Sequence, residues 1–160
     1  MLKIKKILFN HASDCENLLN TSTPDLKYFK RLGWSFNQFK LQTLKEINYG
    51  LGIFNGHNLD GFLLGDLITV EKTTEYEILL IYVNNQKRNI GYATKLLENI
   101  QIDLKKKNLK KIFLEVAINN YQAIKLYKKN KFKKNGIRKN YYLMDNNKVN
   151  AFFFEKIIDE

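Results

Sequence analysis

The residues between Val83 and Ala93 have types and a spacing that suit the binding of a phosphate. An apolar run ends at Val83, a short polar loop follows, and a helical pattern begins near Tyr92. Free backbone N–H groups at such a helix start, together with the helix dipole, attract an anion. Gly91 lets the loop approach an anion closely, and Arg88 can supply a positive charge. An ordinary strand-to-helix turn has the same outline, so this local pattern leaves both interpretations open.

The elements that would position this loop alternate between strands and helices. Hydrophobic periodicity predicts strands at 3–9, 49–54, 61–70, 76–83, 110–117, 132–143 and 149–158, and helices in two pieces within 12–46 and at 92–104 and 120–129. A long helix between the strands 76–83 and 110–117 would make that pair parallel, while the other neighbours pair antiparallel. The order predicts an α/β fold, with a mixed and mostly antiparallel sheet and about four helices on both faces.

The composition fits one domain over residues 1–160. The chain is 44% hydrophobic and 27% charged, which excludes a disordered chain. A lone cysteine, Cys15, excludes an intramolecular disulfide and a cysteine zinc site. His11 and His57 are too few for a site of several histidines, so no metal is expected. No apolar run is long enough to span a bilayer, and the first nine residues mix charged with apolar side chains, unlike a signal peptide. We therefore expect no membrane and a cytoplasmic location.

The formal net charge of +11 raises the question of a polyanionic partner. The lysines are scattered, with local clusters such as 105–107, and they form no continuous stripe with interleaved aromatic residues. An AT-rich genome would favour lysine without selection for any partner. Nucleic acid is therefore not expected as the main ligand, and since no heptad pattern indicates association, a monomer is expected.

Four sequence features resemble those of a known family. Arg88, Gly91 and Ala93 satisfy Gln/Arg-x-x-Gly-x-Gly/Ala, the acetyl-CoA-binding motif of the GNAT superfamily of N-acetyltransferases. Residues 114–127, LEVAINNYQAIKLY, are similar to a run in the RimI-type ribosomal-protein alanine N-terminal acetyltransferases. Residues 138–142 resemble the R-x-N-Y-Y of that subfamily, and Gly33-Trp34-Ser35 is similar to its Pro-Trp-Ser.

The resemblance is strong over 75–158 and weak before residue 50. Asn84-Asn85 stands where the family usually has Asp-Pro, and Lys131 where it has Gly. The changes at Lys131 and Gly33 fall near the acceptor side, so they bear on the choice of substrate more than on the cofactor.

The resemblance implies the GNAT fold, with two splayed parallel strands and acetyl-CoA as co-substrate, and no metal. The splay often comes from a β-bulge, which the sequence does not reveal. Backbone groups of the first strand would pair with the pantetheine arm, as an added strand does. The implied cofactor residues are Ile81, Tyr82, Val83, Arg88, Asn89, Ile90, Gly91, Tyr92, Ala93, Thr94 and Asn120.

The resemblance also implies that Glu115 is a general base and Tyr127 a general acid. Alternation places Glu115 among apolar residues, where an unpaired carboxylate costs several kcal/mol. The other interpretation is a half-exposed strand with Glu115 at the surface. Tyr127 lies seven residues after Asn120, on the same helix side within about 20°. It would protonate the leaving thiolate or simply pack in the core.

The implied acceptor is the α-amine of a protein N-terminus, the alanine of a small-subunit ribosomal protein. An α-amine has a pKa near ~8 against ~10.4 for lysine, so more of it is neutral and one carboxylate base suffices. Trp34, Arg138, Tyr141 and Tyr142 are the candidates that grip the substrate, and they could equally be packing residues. The alternatives are a lysine, a small amine or aminoacyl-tRNA, or a module that binds CoA or RNA without catalysis.

Overall fold

A single seven-stranded sheet organises the computed structural model, which describes residues 1–159. The strands are β1 (Leu2–Lys6), β2 (Leu51–Asn55), β3 (Asn58–Val70), β4 (Thr73–Val83), β5 (Leu109–Ala117), β6 (Lys133–Met144) and β7 (Asn147–Ile157). The helices are α1 (Ala12–Asn20), α2 (Thr23–Arg31), α3 (Phe36–Leu44), α4 (Tyr92–Lys105) and α5 (Tyr121–Lys129). The strand order is β1-β2-β3-β4-β5-β7-β6, and β4 and β5 are the parallel pair. This confirms the predicted α/β class and mixed sheet.

The segment before β2 holds three helices where the sequence predicted two pieces. Ser22 is extended and Pro24 occupies the first turn of α2, where its missing N–H costs no helical hydrogen bond. Gly33 ends α2 with a φ of 91°, a conformation that glycine adopts readily. Ser35 caps α3 as predicted, because its hydroxyl accepts a hydrogen bond from the Gln38 N–H at 3.3 Å.

The helices bury one apolar core on each face of the sheet. On one face the α4 side chains Leu96, Leu97 and Ile100 pack with β5, and on the other Leu19 of α1 and Phe39 of α3 are fully buried. Strand β4 contributes side chains to both cores, whereas β5 contributes Ile112, Leu114 and Val116 to the core beneath α4.

A β-bulge in β4 explains the splay that the sequence could not reveal. Leu64 of β3 lies opposite Leu80, but the next residue, Gly65, lies opposite Ile78, so Leu79 is an extra residue. The pairing of β4 with β5 begins at Thr74 and ends at Glu77, just before the bulge. Beyond that point the two parallel strands are no longer paired in the described chain, which confirms the predicted splay.

Gly65 permits this geometry, because a Cβ there would overlap the Tyr76 ring and the Glu77 carbonyl. We expect Gly65→Ala to lower the free energy of unfolding by about 2–4 kcal/mol, since the backbone or the Tyr76 ring must shift. Gly56→Ala is the matched control: its site is open and only its φ of 62° is unfavourable, which costs about 1 kcal/mol. Urea denaturation measures both. Equal losses in the two variants would contradict this account of the bulge.

Candidate active site

Beyond the last β4–β5 pair, the carboxyl ends of the two strands are separated by a gap in the backbone ladder, which we call the cleft. Along one edge of β4, Ile81, Tyr82 and Val83 pair with β3. Along the other edge the last partner is Phe113, opposite Glu77, so the following β4 residues face β5 without ladder pairing. Such an edge offers backbone groups to an extended ligand. The predicted cofactor residues on β4 therefore lie where an added strand could pair.

The loop after β4 is fixed by its own hydrogen bonds. The backbone N–H of Asn84 donates to the carbonyl of Asp60 at 2.9 Å, and the Asn84 side chain accepts from the Gln86 N–H at 3.0 Å. Asn89 and Gly91 have φ values of 61° and 90°, and Gly91 caps α4. No atom lies within 4 Å of a Cβ built on Gly91, so conformation and not space favours glycine there.

The other predicted cofactor residues surround the start of α4. Ile90 is 57% exposed and Asn89 is exposed, whereas Tyr92, Ala93 and Thr94 are half-buried. The start of α4 therefore lies at the surface, and the binding of an anion by its first-turn amides stays a prediction.

Arg88 is held by groups of the protein itself. Its Nη2 donates to Asp25 Oδ2 at 2.6 Å, and its Nε donates to the Val83 carbonyl at 3.1 Å. The Tyr82 hydroxyl donates to the same Asp25 oxygen at 2.8 Å. Sequence reasoning assigned Arg88 to an anion and missed Asp25, which lies 63 residues away and gave no local signal.

Glu115 lies on β5 at the same end of the cleft and is paired with Arg138. Its side chain is 7% exposed, and its Oε1 lies 3.0 Å from Arg138 Nε. The Tyr142 hydroxyl donates to the Glu115 carbonyl at 3.1 Å. The rings of Tyr141 and Tyr142 meet edge to face with centroids 4.8 Å apart. The structure thus brings three predicted substrate residues together around the predicted base.

Tyr127 and Asn120 lie on the α5 side of the cleft. Tyr127 is buried against Phe132, and burial, followed by the nearby Tyr28 hydroxyl, raises the pKa of its phenol above the usual value. Asn120 caps α5 by accepting from the Ala123 N–H at 3.2 Å. Its Nδ2 also donates to the Tyr28 hydroxyl at 3.4 Å, so Tyr28 joins the predicted pair.

Trp34, predicted to touch the substrate, packs in the core beneath α1–α3. The indole is 9% exposed and stacks on Phe39 with centroids 5.1 Å apart. The structure does not place it beside Arg138 and Tyr141, which are among the more exposed residues of β6. A role for Trp34 in binding the acceptor stays a prediction, and its burial favours a packing role.

Glu77 is a half-buried carboxylate that the sequence analysis overlooked. Its pKa is raised by burial first, then by the charges of Glu115 and Asp66, while Arg138 and Lys45 lower it. The alternation Glu75-Tyr76-Glu77 in a central strand was the signal that could have drawn attention to it. Glu77 and Glu115 therefore place two interacting carboxylates at this end of the sheet.

Residues 1–159 contain neither a candidate membrane-spanning helix nor a candidate metal site. The described helices include none with the length and apolar character needed to span a bilayer. Among the same residues, no three or more His, Cys, Asp or Glu side chains are grouped so that they could hold a metal ion.

Solved structures share the fold over almost the whole chain. The structure of the ribosomal-protein-S18-alanine N-acetyltransferase from Escherichia coli is similar, with a TM-score of 0.82 and 21% sequence identity. The match covers 100% of this chain and 96% of that enzyme. The structure of NAA60 from Arabidopsis thaliana, in complex with a bisubstrate analogue, has a TM-score of 0.81 and 17% sequence identity. The match covers 99% of this chain and 100% of NAA60.

Sequence similarity is more local. An N-alpha-acetyltransferase from Saccharolobus solfataricus is 42% identical over 66 residues, which are 41% of this chain and 40% of the relative. The similarity thus spans well under half of the length of this curated relative. A model of the acetyltransferase (GNAT) family matches residues 13–132, which are 120 of the 160 residues. The chain therefore belongs to the acetyltransferase (GNAT) family.

Proposed function

We propose that this protein transfers the acetyl group of acetyl-CoA to the α-amine of a protein N-terminus. The observation that carries the proposal is the unpaired edge of β4 beyond Glu77, which leads directly to the loop capped by Gly91. A donor with an extended amide arm and a diphosphate matches that combination. The N-alpha-acetyltransferase relative and the family membership support the reaction class. A cytoplasmic location and a monomeric state stay predictions.

The donor would lie in the cleft with its diphosphate at the start of α4. Backbone groups of Ile81 and Val83 would pair with the pantetheine amides, and the α4 amides would bind the phosphate oxygens. Asn120 has an amide group at the opposite wall of the cleft, where it can reach the same arm. The thioester would then lie between Glu115 and Tyr127, the two predicted proton-transfer groups.

Glu115 would receive the proton that the amine loses. The neutral nitrogen attacks the thioester carbonyl, a C–N bond forms, and the C–S bond breaks as the tetrahedral intermediate collapses. In the structure Arg138 contacts Oε1 of Glu115, which leaves Oε2 for the amine or for a bridging water. Glu77 adds negative charge nearby, and this favours the approach of a cationic N-terminus.

Tyr127 would stabilise the leaving thiolate of CoA. Because burial raises the pKa of the phenol, it stays protonated at physiological pH, but it is a weaker acid than an exposed tyrosine. Full proton transfer to a thiolate, whose ordinary pKa is about 8.5, is therefore more uphill than it would be from an exposed tyrosine. Donation of a hydrogen bond to the developing negative charge is the role that this environment supports.

The proposed acceptor is the N-terminal alanine of a small-subunit ribosomal protein. The fold shared with the S18-alanine enzyme of Escherichia coli and the sequence run 114–127 support this choice. The net charge of +11 favours a second candidate, a phosphate-rich acceptor such as aminoacyl-tRNA.

Release of CoA thiol from acetyl-CoA should be measured with a peptide that begins Ala-Arg, a peptide with an internal lysine, and charged tRNA. Turnover with the first alone supports the proposal, and turnover with tRNA alone contradicts it.

The first prediction for catalysis concerns Glu115 and Tyr127. We expect Glu115→Gln and Tyr127→Phe each to lower kcat by about a hundredfold, while the Kd for CoA stays unchanged, because each removes a proton-handling group. Steady-state kinetics and calorimetry measure the two quantities. Tyr121→Phe on the same helix is the control, since Tyr121 is 76% exposed. Wild-type turnover in both variants would refute the assigned roles.

The second prediction follows from the raised pKa of Glu77. A carboxyl with a higher pKa in the folded state favours folding fully below its unfolded pKa, and this contribution is lost as the pH rises through the folded pKa. Glu77→Gln should therefore raise Tm slightly at pH 7, and the gain should disappear near pH 4.

The control for this prediction lies on the same strand. Glu75 is paired with Lys111 at 3.1 Å, so Glu75→Gln should leave Tm unchanged or lower it slightly, by the equivalent of about 0–1 kcal/mol. Thermal unfolding across this pH range measures both variants. A Glu77→Gln gain that persists at low pH would contradict the electrostatic explanation.

A further inference from the structure

Helix α2 carries three polar side chains on one side, each tied to a different element. Asp25, Tyr28 and Arg31 are three residues apart, so they fall within an arc of about 120°. Asp25 bonds to Arg88 of the loop before α4, and Tyr28 accepts from Asn120 at the start of α5. The Nε of Arg31 lies 3.1 Å from a carboxylate oxygen in the turn between β6 and β7. Helix α2 is thus tied across the end of the cleft.

The three ties differ greatly in strength. The Arg31 pair is exposed, with side chains 44% and 62% accessible, and such pairs contribute little. The Tyr28 contact of 3.4 Å is long for a hydrogen bond. Asp25 differs, because one of its oxygens accepts both Arg88 at 2.6 Å and the Tyr82 hydroxyl at 2.8 Å. The Asp25 and Arg88 side chains are only 21% and 30% exposed, so this tie is the strong one.

The tie from Asp25 reaches the backbone of the loop through Arg88. The guanidinium also donates to the carbonyl of Val83, the last residue of β4, and lies 5.3 Å from the centroid of the Tyr82 ring. Arg88 stands inside the segment 84–91, which must hold the positive φ values of Asn89 and Gly91. The loop amides bind a diphosphate well only if this conformation exists before the ligand arrives.

We propose that Asp25 is a positioning residue for the cofactor loop. Acting through Arg88, it holds residues 84–91 in the conformation that receives the diphosphate of CoA, and it joins that loop to α2. The inference rests on the proposed function, in which this loop binds acetyl-CoA. If Asp25 instead competed with phosphate for the Arg88 guanidinium, removal of the Asp25 charge would tighten CoA binding.

Calorimetric titration of CoA into the full chain distinguishes the two arrangements. Asp25→Asn keeps the shape of the side chain and removes its charge. We expect it to raise the Kd for CoA roughly tenfold, the equivalent of 1.4 kcal/mol. Arg88→Gln should weaken binding at least as much. The double variant should bind no more weakly than Arg88→Gln alone, because Asp25 acts through Arg88.

Three further measurements complete the test. Glu46→Gln removes the same charge from an exposed position, and it should leave the Kd unchanged. The Tm of every variant reports folding. Tyr82→Phe removes one of the two donors to Asp25 and should weaken CoA binding about threefold. If Asp25→Asn does not fold, the Kd of Tyr82→Phe for CoA tests the proposal.

The outcomes separate this inference from the function on which it rests. Equal or tighter CoA binding by folded Asp25→Asn overturns the inference, and so do additive losses in the double variant. In either case, a wild-type chain that binds CoA and turns over leaves the proposed function intact. A wild-type chain that binds no CoA overturns both.

Discussion

Backbone hydrogen bonding between β4 and β5 ends at the pair of Glu77 and Phe113, and the candidate site is built around that end. A strand in the middle of a sheet normally has partners on both edges, because unpaired backbone groups away from water are costly. Here the bulge at Leu79 turns the strand, and one edge loses its partner before the strand itself ends. The site is therefore a place where the sheet itself is incomplete, and under the proposed function the pantetheine arm would complete it.

Opposite charges are distributed along the rim of that opening in pairs. Arg88 is joined to Asp25 near the start of α4, and Arg138 is joined to Glu115 on β5. The first pair joins the loop after β4 to α2, and the second pair joins β5 to β6. Although the whole chain carries a net charge of +11, the carboxylates Glu77 and Glu115 interact with each other, with Arg138 beside them. The overall charge of the chain is thus a poor guide to the electrostatics of the site.

Sequence reasoning succeeded where the signal was local. The helix start at Tyr92, the cap at Ser35 and the parallel crossover follow from residue types within a few positions of one another. It failed where distant residues meet: Asn120 and Tyr28 are 92 positions apart, and no short pattern links them. Trp34 shows a second limit: its sequence context predicted a substrate contact but did not reveal that the indole stacks on Phe39.

The bulge has one more effect, on how β4 serves the two helical layers. Tyr76 and Ile78 belong to the core beneath α4 and α5, whereas Leu80 and Tyr82 belong to the core beneath α1–α3. All four are even-numbered, and without the extra residue they would point to one side. A single strand thus contributes its first half to one layer and its second half to the other. Both helical layers therefore pack against the same short stretch of β4 beside the cleft.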